Sequence, residues 1–196
     1  MKIYTRTGDD GTTGLLFGGR VAKDSSVIEA NGAIDEAQAA LGVVRAETEP
    51  GSELDDILVG LERDLYVLMA EVATDGSNRL KLKPGVSLAT EQMVDGLESL
   101  IDQLSGRFPP IKDFVIPGHD RVSAGLDVAR TVVRRAERAA LAVFDPADGG
   151  PDGSLVGRYL NRLSDLLWTM ARWQEQGDSL LSRRLTDPRA PGKAQP

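Results

Sequence analysis

The chain has 196 residues, 41% hydrophobic and 27% charged, with a formal net charge of −7, no cysteine and one histidine. That length suits one domain with a substantial core, the acidic balance argues against general nucleic-acid binding, and the cysteine and histidine counts exclude disulfides, thiolate metal sites and most histidine-based ones. No apolar run approaches the ~20 residues that span a bilayer and no signal-like segment is seen, so no membrane partner and a cytoplasmic location are expected.

The opening stretch YTRTGDDGTTGLLFGG, residues 4–19, holds five glycines, four threonines and two aspartates. Such a composition lets backbone N–H groups lie close to an anion. Neither G-x-x-x-x-G-K-[ST] nor G-x-G-x-x-G is present, so no standard nucleotide fold is indicated. Arg20 and Lys23 add positive charge immediately downstream. A glycine-rich turn beside a lysine can cradle a polyphosphate, and the same composition also suits a plain polar segment. Composition leaves both open.

Five amphipathic stripes follow. Val27, Ala30, Ile34, Ala37, Leu41 and Val44 alternate steps of three and four, which predicts a helix over roughly 25–48. Leu54, Leu58, Leu61, Leu65, Leu68 and Val72 form the second, with Ser52 as its N-cap. The third uses Val94, Leu97, Ile101 and Leu104. The fourth runs Val122, Leu126, Ala129, Val133, Ala136, Ala140, Val143, and the fifth Val156, Leu160, Leu163, Leu167, Met170 to about Gly177. Turn chemistry separates them at Pro50-Gly51, Pro84-Gly85, Pro109-Pro110, Pro117-Gly118 and DPADGGPDGS. An all-α, five-helix up-and-down bundle is predicted, one domain over 1–185, with TDPRAPGKAQP (186–196) as a disordered tail. Small residues in the first and fourth stripes allow those helices to approach closely.

On the fourth helix Arg130, Arg134 and Glu137 share one face, with Arg138 on the same side and Arg135 elsewhere. Four arginines and one glutamate within nine residues leave a local charge of +3 (4 − 1) in an acidic protein. This is either a solvated ion-pair face or an anion site, because the guanidinium fork matches phosphate oxygens. Asn161, Asp165 and Trp168 share a face of the fifth helix, suited to helix–helix hydrogen bonding or to ligand contact. Asp35, beside the first stripe, calls for a cationic partner, and the fourth helix has arginines to spare.

Taken together, YTRTGDDGTTGLLFGGRVAKD, EANGAIDEAQAALG, FVIPG, ARTVVRRAER and YLNRLSDLLWTMAR occur in the order and spacing of the PduO-type ATP:cob(I)alamin adenosyltransferases, and the chain resembles that family from residue 3 to about 175. The resemblance implies a homotrimer with active sites between subunits, in which Co(I) of a reduced corrinoid attacks the 5′ carbon of ATP. Adenosylcobalamin and triphosphate are the implied products. By similarity Thr5, Arg6, Thr7, Gly8, Thr13, Gly14 and Lys23 form one half of the ATP site. Arg134, Arg135, Glu137, Arg138 and Asn161 form the other, Glu137 acting through Mg²⁺. Asp35 and Arg130 match a pair joining neighbouring subunits near the corrinoid, and Phe114 matches the phenylalanine below the corrin ring. Phe114, Asp35, Arg130 and Arg134 are thereby the implied catalytic set. A reduced flavin or flavoprotein as electron source and an adenosylcobalamin-dependent mutase as recipient are also implied.

The sequence departs from the family at four places. Asp10 stands where lysine commonly precedes the second glycine, which removes a positive charge beside the expected triphosphate. Val27 and Asn31 replace the common arginine and tyrosine, and His119 stands where glycine is frequent and reads as a surface residue, with ligation of cobalt as the alternative. Two other functions compete with this one. A non-catalytic carrier that delivers adenosylcobalamin to a mutase could tolerate loss of the triphosphate cradle, whereas Thr5, Lys23, Arg134 and Asn161 are all retained. A di-iron bundle needs two Glu-x-x-His motifs, and one histidine excludes it.

Overall fold

Each of the five apolar stripes coils into a helix, because burying the stripe on one side removes its hydrocarbon from water while the backbone bonds internally. In a computed structural model, which describes residues 3–144 and 153–182, the helices are α1 (Ser26–Ala46), α2 (Glu53–Val72), α3 (Glu91–Ser105), α4 (Arg121–Phe144) and α5 (Val156–Gln174). The tail 186–196 and most of DPADGGPDGS lie outside the described residues. Ser52 caps α2 by accepting from the Asp55 N–H at 3.2 Å. Thr90 caps α3 in the same way. The fifth helix ends at Gln174, short of Gly177, as Gln176 and Gly177 turn to φ 50° and 98°.

All six stripe residues of α2 and all five of α5 are buried. The α1 and α4 stripes are buried except at their ends, where Val27, Val122 and Val143 are partly covered. α4 packs against both α1 and α5, with α2 on the far side of α1 and α3 against α5. The small residues of α1 and α4 meet as expected: a Cβ at Gly125 would lie 2.9 Å from Val44 Cγ2, so only glycine fits that crossing.

Charge ties the ends of the bundle, buried at one and largely exposed at the other. At one end Glu71, fully buried on α2, accepts from Arg79 Nη2, from the Ala89 N–H ahead of α3 and from Ser154 Oγ ahead of α5, each at 2.8 Å. At the other end Arg45 of α1 bonds Asp55 of α2 at 2.7 Å, and Arg107 after α3 bonds Glu53. The helices therefore run alternately up and down. Two features went unforeseen. Gly76–Lys81 form a 3-10 helix capped by Asp75. The opening stretch holds a two-stranded antiparallel hairpin, β1 (Thr12–Gly14) with β2 (Arg20–Ala22). No helix of the described residues is long and apolar enough to cross a membrane.

Candidate functional site

The glycine-rich stretch is folded around Arg20. In the hairpin Thr12 faces Ala22, Thr13 faces Val21 and Gly14 faces Arg20. The Arg20 guanidinium donates to Thr7 O at 2.6 Å and to Thr12 Oγ1 through Nε at 3.0 Å. Asp10 accepts from the Thr12 N–H at 2.9 Å and hydroxyl at 2.8 Å, and these bonds, with the Arg20 charge, hold its carboxyl below the ordinary range. Asp10 thus shapes the turn. Thr5 and Thr7 hydroxyls lie 2.8 Å apart, and Arg6 sits at φ 63° with its guanidinium over Tyr4.

Lys23 turns back over this stretch. Its N–H donates to Gly11 O at 2.9 Å. A Cβ on Gly8 would lie 3.1 Å from Lys23 Nζ and 3.1 Å from Thr12 O, so the backbone and ammonium approach closely only because residue 8 is glycine. The Lys23 ammonium forms no ion pair among the described residues. Leu16 N–H donates to Ala73 O at 2.8 Å, which docks the hairpin at the end of α2. Thr5, Thr7, Gly8 and Lys23 are thereby gathered into one exposed, cationic nest.

On α4, Arg134 is exposed and its guanidinium has no partner among the described residues. Arg138 donates to Arg134 O at 2.9 Å. Glu137 accepts from Asn161 Nδ2 at 3.0 Å, and the two line a cleft of about 340 Å³ with Phe144, Ser154 and Arg158. Arg135 points away, as its helical position indicates, and pairs with Glu36 of α1 at 2.6 Å. Asp35 is exposed and pairs with no arginine among the described residues, and its neighbour Glu36 faces α4 instead. Among the described residues no hydrogen bond or ion pair joins the 3–23 segment to Arg134, Arg138 or Asn161.

Phe114 lies at the opposite end of the bundle from the Glu71 cluster, 83% exposed. It borders a cleft of about 710 Å³ shared with Pro117, Asp127, Arg130, Trp168 and Arg172. Arg130 Nε stands 3.6 Å from Asp127 Oδ1, too far for a hydrogen bond, and has no hydrogen-bond partner among the described residues. His119 is exposed. Sequence reasoning missed the floor of this cleft. Arg172, 1% exposed, donates through Nη2 to Asp127 Oδ2 at 2.6 Å and to Glu175 Oε1 at 2.9 Å, with its guanidinium 5.9 Å from the Trp168 ring. The available signal was an acid, Asp127, and a base, Arg172, each set beside its helix's apolar stripe, where an unpaired charge is prohibitive.

Residues 3–174 match the family model described as cobalamin adenosyltransferase. The chain is 42% identical over 174 residues to a corrinoid adenosyltransferase of Citrobacter freundii, covering 89% of this chain and 95% of that one. It is 41% identical over 192 residues to the corrinoid adenosyltransferase of Mycobacterium tuberculosis, covering 92% and 97% respectively. Among solved structures, a variant PduO-type ATP:corrinoid adenosyltransferase from Lactobacillus reuteri complexed with cobalamin and ATP superposes with a TM-score of 0.81 at 27% identity. It covers 93% of this chain and 100% of that one.

Proposed function

The chain belongs to the cobalamin adenosyltransferase family, and from that premise we propose how its residues carry out ATP-dependent adenosylation of cobalamin. The observation that carries the activity is the 41–42% identity to corrinoid adenosyltransferases over about nine-tenths of the chain. The cobalt(I) lone pair attacks C5′ of ATP as the C5′–O bond breaks, and the bonding pair leaves on the triphosphate oxygen. No proton need move, so no acid–base pair is required. The protein must align the 5′ carbon with cobalt and stabilise charge growing on the leaving oxygen.

The unpaired Lys23 ammonium, the Thr5 and Thr7 hydroxyls and the backbone at Gly8 supply donors for the triphosphate, with Arg6, Thr13 and Gly14 shaping the same stretch. Arg134 and Arg138 add guanidinium forks from α4, and Asn161 steadies Glu137. Glu137 takes Asn161 on one carboxylate oxygen and keeps the other without a partner among the described residues, which suits a hard cation such as Mg²⁺ held with ATP. The ion would neutralise triphosphate charge. Arg135, paired with Glu36, serves the site by fixing α4 against α1.

Among the described residues no hydrogen bond or ion pair joins the nest to the α4 arginines, and Asp35 forms none with an arginine. Both facts support a homotrimer in which the loop of one subunit completes the α4 face of the next, with Asp35 reaching the neighbour's Arg130. Phe114 and the cleft beside Arg130 receive the corrin ring. An apolar wall there disfavours a lower axial ligand, leaving four-coordinate Co(II), which is easier to reduce. A reduced flavin or flavoprotein supplies the electron, a mutase receives the product, and the setting is cytoplasmic.

The test is anaerobic incubation with chemically reduced cobalamin and ATP, following the alkylcobalt spectrum and free triphosphate. Stoichiometric appearance of both is expected. Tight binding of ATP and corrinoid with no alkylcobalt product would identify a carrier instead.

A further inference from the structure

Four charges lie buried or half-buried beneath the Phe114 cleft, and adenosyl transfer calls on none of the two carboxylates among them. Arg172 and Arg130 face Asp127 and Glu175, and all but Arg130 are 5% exposed or less. Buried ion pairs are weak contributors to stability, since apolar residues of similar volume often serve as well. Their position suggests another use.

Glu175 spends its second oxygen, Oε2, on the Ser179 hydroxyl, and its carbonyl accepts from the Asp178 N–H at 2.8 Å. These bonds set the course of the chain leaving α5. From Leu180 on, that chain lies antiparallel to the segment carrying Phe114. Ile116 N–H donates to Leu180 O at 2.8 Å, Ser182 N–H donates to Phe114 O at 2.7 Å, and Val115 bridges Leu181 between them. Phe114 is 83% exposed, so little side-chain packing holds it and its place depends on this backbone pairing. On the other side of the node, Asp127 Oδ1 lies 3.6 Å from Arg130 Nε.

We propose that Arg172 is a positioning residue for the corrinoid cleft, bonding Asp127 beneath Arg130 and Glu175 at the root of the 178–182 segment that fixes Phe114. The proposal rests on the reading of that cleft as the corrinoid site. Through one guanidinium the ring floor and the Arg130 head group keep a constant separation. Lysine would keep the charge and lose the fork that spans two carboxylates.

Arg172→Lys and Ser179→Ala test it at two points of the same path. Amide hydrogen exchange at Ile116 and Ser182 should quicken by at least about tenfold in both variants, while Leu41 in the α1 core stays as slow as in wild type. Turnover starting from Co(II) should fall more than turnover from Co(I), with KM for ATP unchanged. Ser179→Thr, which restores the hydroxyl, should return both readouts towards wild type. Unchanged exchange at Ile116 and Ser182 would overturn the proposal, as would faster exchange with equal losses in the two assays. Should Arg172→Lys fail to fold, Ser179→Ala decides alone, because Ser179 lies outside the helices and off the core. A wild-type protein that forms no alkylcobalt product from Co(I) and ATP refutes the functional reading and this proposal with it. A working wild type with indifferent variants refutes only this one.

Discussion

Truncating Phe114 to alanine separates function from folding unusually well. The side chain is 83% exposed, so the folded chain forfeits almost no burial. Exposed substitutions usually stay within about 0.5 kcal/mol, which is less than roughly 2 °C in Tm for a chain of this size. The effect on a bound corrin is much larger. Covering a whole phenylalanine side chain is worth about 1.5–3 kcal/mol, and the 83% left open scales this to roughly 1.2–2.5 kcal/mol. Losing it corresponds to about 7- to 70-fold, concentrated in the state that needs a dry lower face. Two anaerobic assays measure it, one starting from Co(II) with a reductant and one from Co(I), alongside the spectrum of Co(II) in the ATP complex. Four-coordinate Co(II) should be depleted, and turnover from Co(II) should fall by more than turnover from Co(I). Equal losses in the two assays, or a Tm lowered by many degrees, would show that Phe114 merely packs.

Co-refolding Lys23→Ala with Arg134→Ala in equal amounts should restore about a quarter of wild-type activity, since that fraction of heterologous interfaces in a cyclic trimer carries both intact residues; mixed trimers as inactive as either parent would refute a site shared between subunits. Glu71→Ala strands three buried or half-buried donors, at about 1–2 kcal/mol each, so thermal unfolding should begin on the order of 10–20 °C lower, and a shift within 2 °C would mean that water replaces the carboxylate. Half-burial raises the Asp64 carboxyl pKa above 3.8, against a smaller opposing effect of the Tyr159 hydroxyl bond. The folded state therefore holds the Asp64 proton more tightly than the unfolded one, and this contribution is complete below pH 3.8 and lost as pH rises through the raised value. Asp64→Asn should accordingly gain stability relative to wild type on going from acid to neutral pH in denaturant titrations, and a pH-independent difference would refute the burial argument.

The five helices were legible because their signal is local and repeated. Six leucines and valines in steps of three and four leave α2 no other way to bury them, and Ser52 marks its start by a bond only three residues long. The close approach of α1 and α4 was likewise announced by the alanines of their stripes, whereas the part of Gly125 against Val44 was not. The hairpin at Thr12–Ala22 was hidden, because three-residue strands held by Arg20 carry no hydrophobic period. Candidate residues fared according to the same rule. Helical spacing alone put Arg134 and Glu137 on one side of α4 and turned Arg135 away from them. It could not tell that Arg135 meets Glu36, nor that Asp35 pairs with no arginine among the described residues, since which of two adjacent acids faces a neighbouring helix depends on the crossing of the two helices. Glu71, Asp127 and Arg172 lie furthest from any sequence signal. Glu71 meets Ser154 across 83 residues of chain and Arg172 meets Asp127 across 45, so their pairing exists only once the helices have packed, and a buried charge becomes tolerable only when that packing delivers its partner.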